Sequence, residues 1–347
     1  MNTSPNLRRT LLAALLAGLA AAAAYLANEF KGPPDPAPPV VNEPPKFFGW
    51  VPNPEAVAAV TATLPCPEFR ATEAFQAGDA GPDDVFLWDA CRKATGHPLP
   101  ARDQGAVGAC VGFGTAAAIE HLICVQIASG AAERFRELAP EVIYAGSRVE
   151  VGGGQVSGDG SVGAWAAKFV RDWGVVPRGV YSALDLSRYD ERTCRRLGAV
   201  GLSDDLERLA KEHPVKAVTT VRTWAECRAA VRNGYPVAVC SSQGFTMHRD
   251  ADGFCRPQGV WMHCMAVVGV RGGSRPGGFL LNSWGDRAHT GPGGAGDPPP
   301  AGFWVDAAVL DRMLGEGDSW AFSGFTGFPA RKLDWYAGPL PKASGGV

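Results

Sequence analysis

A thiolate paired with an imidazole is the simplest protein machinery for attacking a carbonyl carbon at neutral pH. The sequence offers nine cysteines and six histidines for the purpose. Cys110 stands apart because it follows a glycine-containing turn, Gln104-Gly105-Ala106-Val107-Gly108-Ala109, and opens a long apolar stretch. At a helix N-terminus the partial positive charge and unpaired N–H groups favour the thiolate. Those N–H groups, with the side-chain amide of Gln104, also suit the oxyanion of a tetrahedral intermediate. Cys240 and Cys264 sit inside apolar runs and read as small buried hydrophobes.

The base has fewer candidates than the histidine count implies. His97 and His289 lie among prolines and glycines, His121 falls within the nucleophile's own helix, and His213 follows Lys211-Glu212. His248 and His263 remain. His263 is the better placed, at the entry to an apolar strand expected over 264–270. A third group must hold the imidazole in one tautomer. Asn282 closes the next expected strand, in Leu280-Leu281-Asn282-Ser283-Trp284-Gly285. Paired neighbouring strands would aim both side chains into one cleft, with Trp284 covering the bond between them.

The elements that must position these groups follow from periodicity. A helix is expected over 109–129, without proline and with a broad apolar face. Further helices are expected over 54–63, 161–173, 203–211 and 223–233. Short β-branched or apolar runs at 215–221, 236–240, 264–270 and 278–281 read as strands. Helices come first and strands second, which gives an α+β fold of two lobes. No repeat of 20–50 residues is present.

Apolar residues make up 46% of the 347 and charged residues 20%, the balance of a globular chain with a core. The formal charge is −2 with no long basic run, so nucleic acid is not an expected partner. No C-x-x-C pair occurs, so neither a metal nor a cofactor is expected. With one free nucleophile, eight cysteines remain for up to four disulfides or for buried thiols. Arg8-Arg9 precedes an uncharged run over 11–27, the pattern of an export signal or a short membrane anchor. The proline-rich 31–46 is a semi-rigid spacer. The expected location is therefore outside the cytoplasm, anchored in the membrane or secreted.

Three segments carry a family resemblance. Asp103-Gln104-Gly105-Ala106-Val107-Gly108-Ala109-Cys110-Val111-Gly112-Phe113 resembles the nucleophile segment of papain-like cysteine peptidases. Met262-His263-Cys264-Met265-Ala266-Val267-Val268-Gly269 resembles that family's histidine strand, and Asn282-Ser283-Trp284-Gly285 is similar to its asparagine motif. The histidine and asparagine lie roughly 150 and 170 residues beyond Cys110, near the family's spacing. The resemblance implies a helical lobe bearing Cys110, over 84–212, and an antiparallel β-barrel-like lobe bearing His263 and Asn282, over 213–328. A peptide or protein substrate would lie between them. It also implies Gln104 as oxyanion donor, and Gly158 and Gly160 as part of a substrate-binding wall with Trp284 nearby.

Departures accompany the likeness. Val107 replaces a disulfide cysteine and Val111 a tryptophan, while a glycine- and proline-rich loop follows Gly285. The extension over 47–83 does not resemble an inhibitory propeptide, and the aromatic tail beyond Asp318 matches no familiar segment. A thiol peptidase is the leading expectation. A Cys–His amidase or acyl-transfer enzyme acting on cell-wall peptides and a non-catalytic peptide-binding module are the alternatives.

Overall fold

One helix, apolar on every side, organises the chain. The structure, a computed structural model, describes residues 48–78, 83–182, 184–213 and 215–333. The expected export segment and proline-rich spacer lie outside the described residues, as does the tail from 334. The helices are α1 (Pro54–Thr61), α2 (Glu73–Gln76), α3 (Leu87–Thr95), α4 (Cys110–Ala128), α5 (Pro140–Gly146), α6 (Gly163–Asp172), α7 (Glu191–Val200), α8 (Asp204–Ala210), α9 (Trp224–Arg232) and α10 (Ala307–Gly315). Uniform apolarity marks either a membrane span or a fully buried helix. Here α4 is the central core helix, packed against α3, α5 and the sheet. Its one carboxylate, Glu120, is buried, paired with Arg102 and accepting the Leu138 N–H at 2.7 Å.

The strands are β1 (Val85–Phe86), β2 (Val180–Tyr181), β3 (Leu184–Asp185), β4 (Ala217–Thr220), β5 (Val237–Phe245), β6 (Pro257–Arg271), β7 (Gly277–Leu281), β8 (Gly302–Asp306) and β9 (Ser319–Ser323). Seven form an antiparallel sheet in the order β4-β9-β5-β6-β7-β8, with β1 added to β6. The architecture is α+β, as expected, with an open sheet among the described residues in place of a closed barrel. Two expected strands prove longer. β5 runs to Phe245 and β6 begins at Pro257, so His263 lies inside its strand, opposite Ser241. The polar and glycine residues of 257–263 concealed that extension, because much of it faces solvent.

The aromatic tail has a clear place. Trp320 and Phe322 belong to β9, in the middle of the sheet between β4 and β5. Phe328 packs edge-on against Phe69 and Tyr235 at 5.5 and 5.0 Å. The extension is equally part of the fold: Thr220 donates through its N–H and hydroxyl to the Pro67 carbonyl, and α1 packs on α6. None of the nine cysteines forms a disulfide.

Candidate active site

Cys110 is the first residue of α4 and is fully buried. The loop before it is tied to the segment after β7 as a short antiparallel pairing, with Asp103 opposite Trp284. Gln104 donates its N–H to the Ser283 carbonyl at 2.9 Å, and the Gly285 N–H donates to the Arg102 carbonyl at 2.9 Å. The Ser283 hydroxyl donates to Gln104 Oε1 at 2.6 Å, while Gln104 Nε2 donates to the Val107 carbonyl at 2.8 Å. Residues 179 positions apart are thereby fastened together, and the nucleophile's loop is fixed to the asparagine's.

His263 and Asn282 meet as expected. β7 ends at Leu281, opposite Ala266, which leaves Asn282 beside the His263 stretch of β6. His263 Nε2 lies 2.8 Å from Asn282 Oδ1. The Ser283 N–H also points at that oxygen, at 2.7 Å, and a backbone N–H can only donate. The atom is therefore an acceptor, and Nε2 of His263 must carry the proton. Nδ1 is left with its lone pair, buried and without a hydrogen-bond partner. The Trp284 ring lies 4.6 Å from the imidazole and covers it.

Residues 48–51 cover the nucleophile and the imidazole together. The N–H groups of Gly49 and Trp50 both donate to the Met262 carbonyl, at 3.0 and 2.9 Å. Trp50 pairs in parallel with Ser161: Val51 N–H donates to the Ser161 carbonyl at 2.9 Å and Ser161 N–H to the Gly49 carbonyl at 2.8 Å. The Phe48 ring stands edge-on to His263 at 6.3 Å and to Trp284 at 6.0 Å. A side chain at Gly49 would drive its first carbon to 1.9 Å from the Gly108 carbonyl oxygen, so only glycine passes there. Trp50 anchors the segment by donating Nε1–H to Asp318 Oδ2 at 2.8 Å, in the interior.

Protonation follows from this cover. Burial pushes the Cys110 thiol well above its ordinary range, although the N–H groups of Cys264, Gly49 and Val111 oppose the shift. Burial lowers His263 to about 4, with the Asn282 hydrogen bond working the other way. Burial thus holds Cys110 as a thiol and His263 as a neutral imidazole. Expecting a thiolate from the helix terminus alone omitted desolvation, which is the larger effect here.

The expected wall divides in two. Gly160 lies against the covering segment, and a side chain there would meet Val51 at 3.0 Å and the Gly49 carbonyl at 3.1 Å. Gly158 is exposed, and its carbonyl accepts from Arg148 Nη2 at 2.7 Å. Pairing with the covering segment falls instead to Ser161, which sequence reasoning did not single out. It also passed over His289, whose Nε2 lies 3.0 Å from Asn282 Nδ2. The glycines and prolines around His289 masked it, and no periodicity marks a contact made from a loop.

Helical packing around α4, with Cys110 at its start, and the open antiparallel sheet that carries His263 make this a papain-like fold. Among solved structures the chain is similar to xylellain, a cysteine protease from Xylella fastidiosa, at 16% identity and a TM-score of 0.51, covering 80% of this chain and 92% of that one. It is also similar to procathepsin L2 from the larval midgut of Tenebrio molitor, at 15% identity and a TM-score of 0.49, covering 80% and 78%. No family model matches the sequence, and no curated protein matches it.

Proposed function

We propose that this chain is a cysteine peptidase that hydrolyses peptide bonds outside the cytoplasm, and that residues 48–51 cover its site at rest. The carrying observation is the His263–Asn282 pair, with a buried, unpartnered Nδ1 lone pair on the imidazole and an asparagine loop fastened to the loop that leads into Cys110. With the cover withdrawn, water returns to the groove and a proton passes from Cys110 to Nδ1 of His263. The thiolate then attacks the scissile carbonyl, forming a C–S bond. The oxyanion takes hydrogen bonds from the Cys110 N–H and Gln104 Nε2. As the C–N bond breaks, His263 gives its proton to the departing amine. Water then attacks the thioester with His263 taking its proton, and the C–S bond breaks to restore the thiolate.

An extended peptide would use the hydrogen bonds that residues 48–51 now occupy, those of Ser161 and the Met262 carbonyl, with Gly160 allowing close approach. The N-terminal Arg8-Arg9 and the apolar run after it support export or membrane anchoring. An epoxide that alkylates thiols tests the reading. It should label the wild type once in the groove, and Cys110→Ala should abolish both labelling and peptide hydrolysis. Hydrolysis that survives in Cys110→Ala would overturn the assignment.

A further inference from the structure

We propose that His289 is a positioning residue for this site, holding the amide of Asn282 so that its oxygen always faces His263. The proposal deepens the peptidase reading and rests on it. It starts from the one unambiguous donor in the network, the Ser283 N–H at 2.7 Å from Asn282 Oδ1. That contact fixes which end of the amide is oxygen, so Asn282 Nδ2 must be the atom 3.0 Å from His289 Nε2. An amide nitrogen only donates, so His289 Nε2 accepts and its proton sits on Nδ1. Nδ1 lies 3.7 Å from Cys255 Sγ, a thiol kept protonated by burial, which pushes it up to about 12. The two histidines are therefore held in opposite tautomers: Nε2–H on His263 and Nδ1–H on His289.

The ring is held where this matters. His289 is 2% exposed and its ring lies 4.3 Å from that of Phe303 on β8. The next residue, Thr290, donates its N–H to the Met247 carbonyl at 3.0 Å and accepts from the Arg249 N–H at 2.9 Å. Cys255 is in turn fixed by donating its N–H to the Trp304 carbonyl at 3.0 Å. A loop without regular structure thus presents one rigid acceptor. Without it, the Asn282 amide keeps its oxygen contacts but loses the bond on its nitrogen. Only the Ser283 N–H and His263 contacts on its oxygen then resist a turn that would bring Nδ2 against those donors. An acceptor on Nδ2 also draws electron density towards Oδ1, which favours the imidazolium that His263 must become during the reaction.

The test uses the full chain and reads the imidazole ring nitrogens by 15N-resolved NMR, beside peptide-hydrolysis kinetics. Wild type should show Nε2–H on His263 and Nδ1–H on His289. His289→Leu, of similar bulk and without an acceptor, should release His263 into a mixture of tautomers and lower kcat about tenfold with KM unchanged, the worth of one internal hydrogen bond. His289→Gln, whose Oε1 can accept from Asn282, should restore both. An Nε2–H tautomer on wild-type His289 overturns the proposal. So does a His289→Leu chain with His263 tautomer and kcat intact. If His289→Leu does not fold, the wild-type tautomers and the Gln variant decide. A wild-type chain with the stated tautomers and no hydrolysis of any peptide would instead sink the peptidase reading alone.

Discussion

Trp50→Phe is the sharpest probe of the covering segment. The indole is 5% exposed, and its Nε1–H is bonded to the buried Asp318 carboxyl at 2.8 Å. Phenylalanine keeps most of the apolar burial and removes that one bond. A hydrogen bond to a charged group contributes about 1.5–3 kcal/mol. The covered state should lose that much relative to the open one, so the open population should rise roughly tenfold to hundredfold at about 1.4 kcal/mol per decade. Trp50→Ala should go further, since truncating a buried aromatic costs about 3–5 kcal/mol. The assay is alkylation by iodoacetamide at pH 7.5, with modified cysteines resolved by mass spectrometry. Where opening and closing are fast, the Cys110 rate follows the open population. Cys66, half-buried and held against Glu68 and Thr219, is the internal control and should react at one rate in every variant. Equal Cys110 rates in wild type and Trp50→Phe would refute the reasoning. So would a wild-type Cys110 that reacts as fast as Cys66.

Three more predictions concern what holds and charges the site. Glu120→Ala leaves the Arg102 guanidinium, 11% exposed, with only the half-exposed Glu137 carboxylate at 3.3 Å and removes the acceptor of the Leu138 N–H, so it should cost about 1–3 kcal/mol in denaturant unfolding; an unfolding midpoint near wild type would show that the pair holds nothing. Gly114→Ala places a methyl 2.9 Å from Cys264 Sγ and 3.0 Å from its carbonyl oxygen, so it should destabilise by about 1–3 kcal/mol and slow hydrolysis by moving the strand that carries His263. Stability and activity both unchanged would mean that helix and strand are not in firm contact. His263 should titrate near 4 in wild type and nearer its ordinary 6.5 in Trp50→Ala, followed by NMR of the ring. Because the covered value is the depressed one, covering gains nothing from this group at pH 4, and its contribution is complete only above about 6.5; a ring titrating near 4 in both chains would contradict this.

The candidate residues of this site were more legible than the contacts that hold them. Cys110 and Asn282 could be singled out because each lies at the edge of a regular element, where a break in periodicity coincides with a polar or reactive side chain; His263 was singled out as a strand entry although it lies inside β6. The core helix was legible within one residue at each end, since no charged residue but Glu120 interrupts it, and Glu120 and His121 find partners inside. What escaped was made by long-range closure. β8 and β9 are short, and their apolar residues lie among glycines and aromatics that mimic an irregular tail. Residues 48–51 carry no pattern of their own. They are strand-like only because Ser161 and Met262 offer them hydrogen bonds from 110 and more residues away. His289 owes its place to a loop pinned at Thr290 rather than to any local propensity.

The cover and the charge state are one device rather than two. A segment that merely blocked the groove would leave the thiolate and imidazolium formed beneath it. On the proposed reading residues 48–51 also exclude water and add to the burial that raises Cys110 and lowers His263. The resting pair is therefore uncharged, and withdrawing the cover both admits a peptide and restores the environment in which the proton can cross. Asp318 works in the same sense. Its carboxyl is raised to about 6 by burial, and the Trp50 Nε1–H bond that fastens the cover is one of the interactions favouring its ionised form. Protonating Asp318 therefore weakens the grip on Trp50, and protonating His263 favours the open groove, so both groups loosen the cover as pH falls below about 6. Above that pH the grip of Trp50 and the bonds to Met262 and Ser161 control the opening.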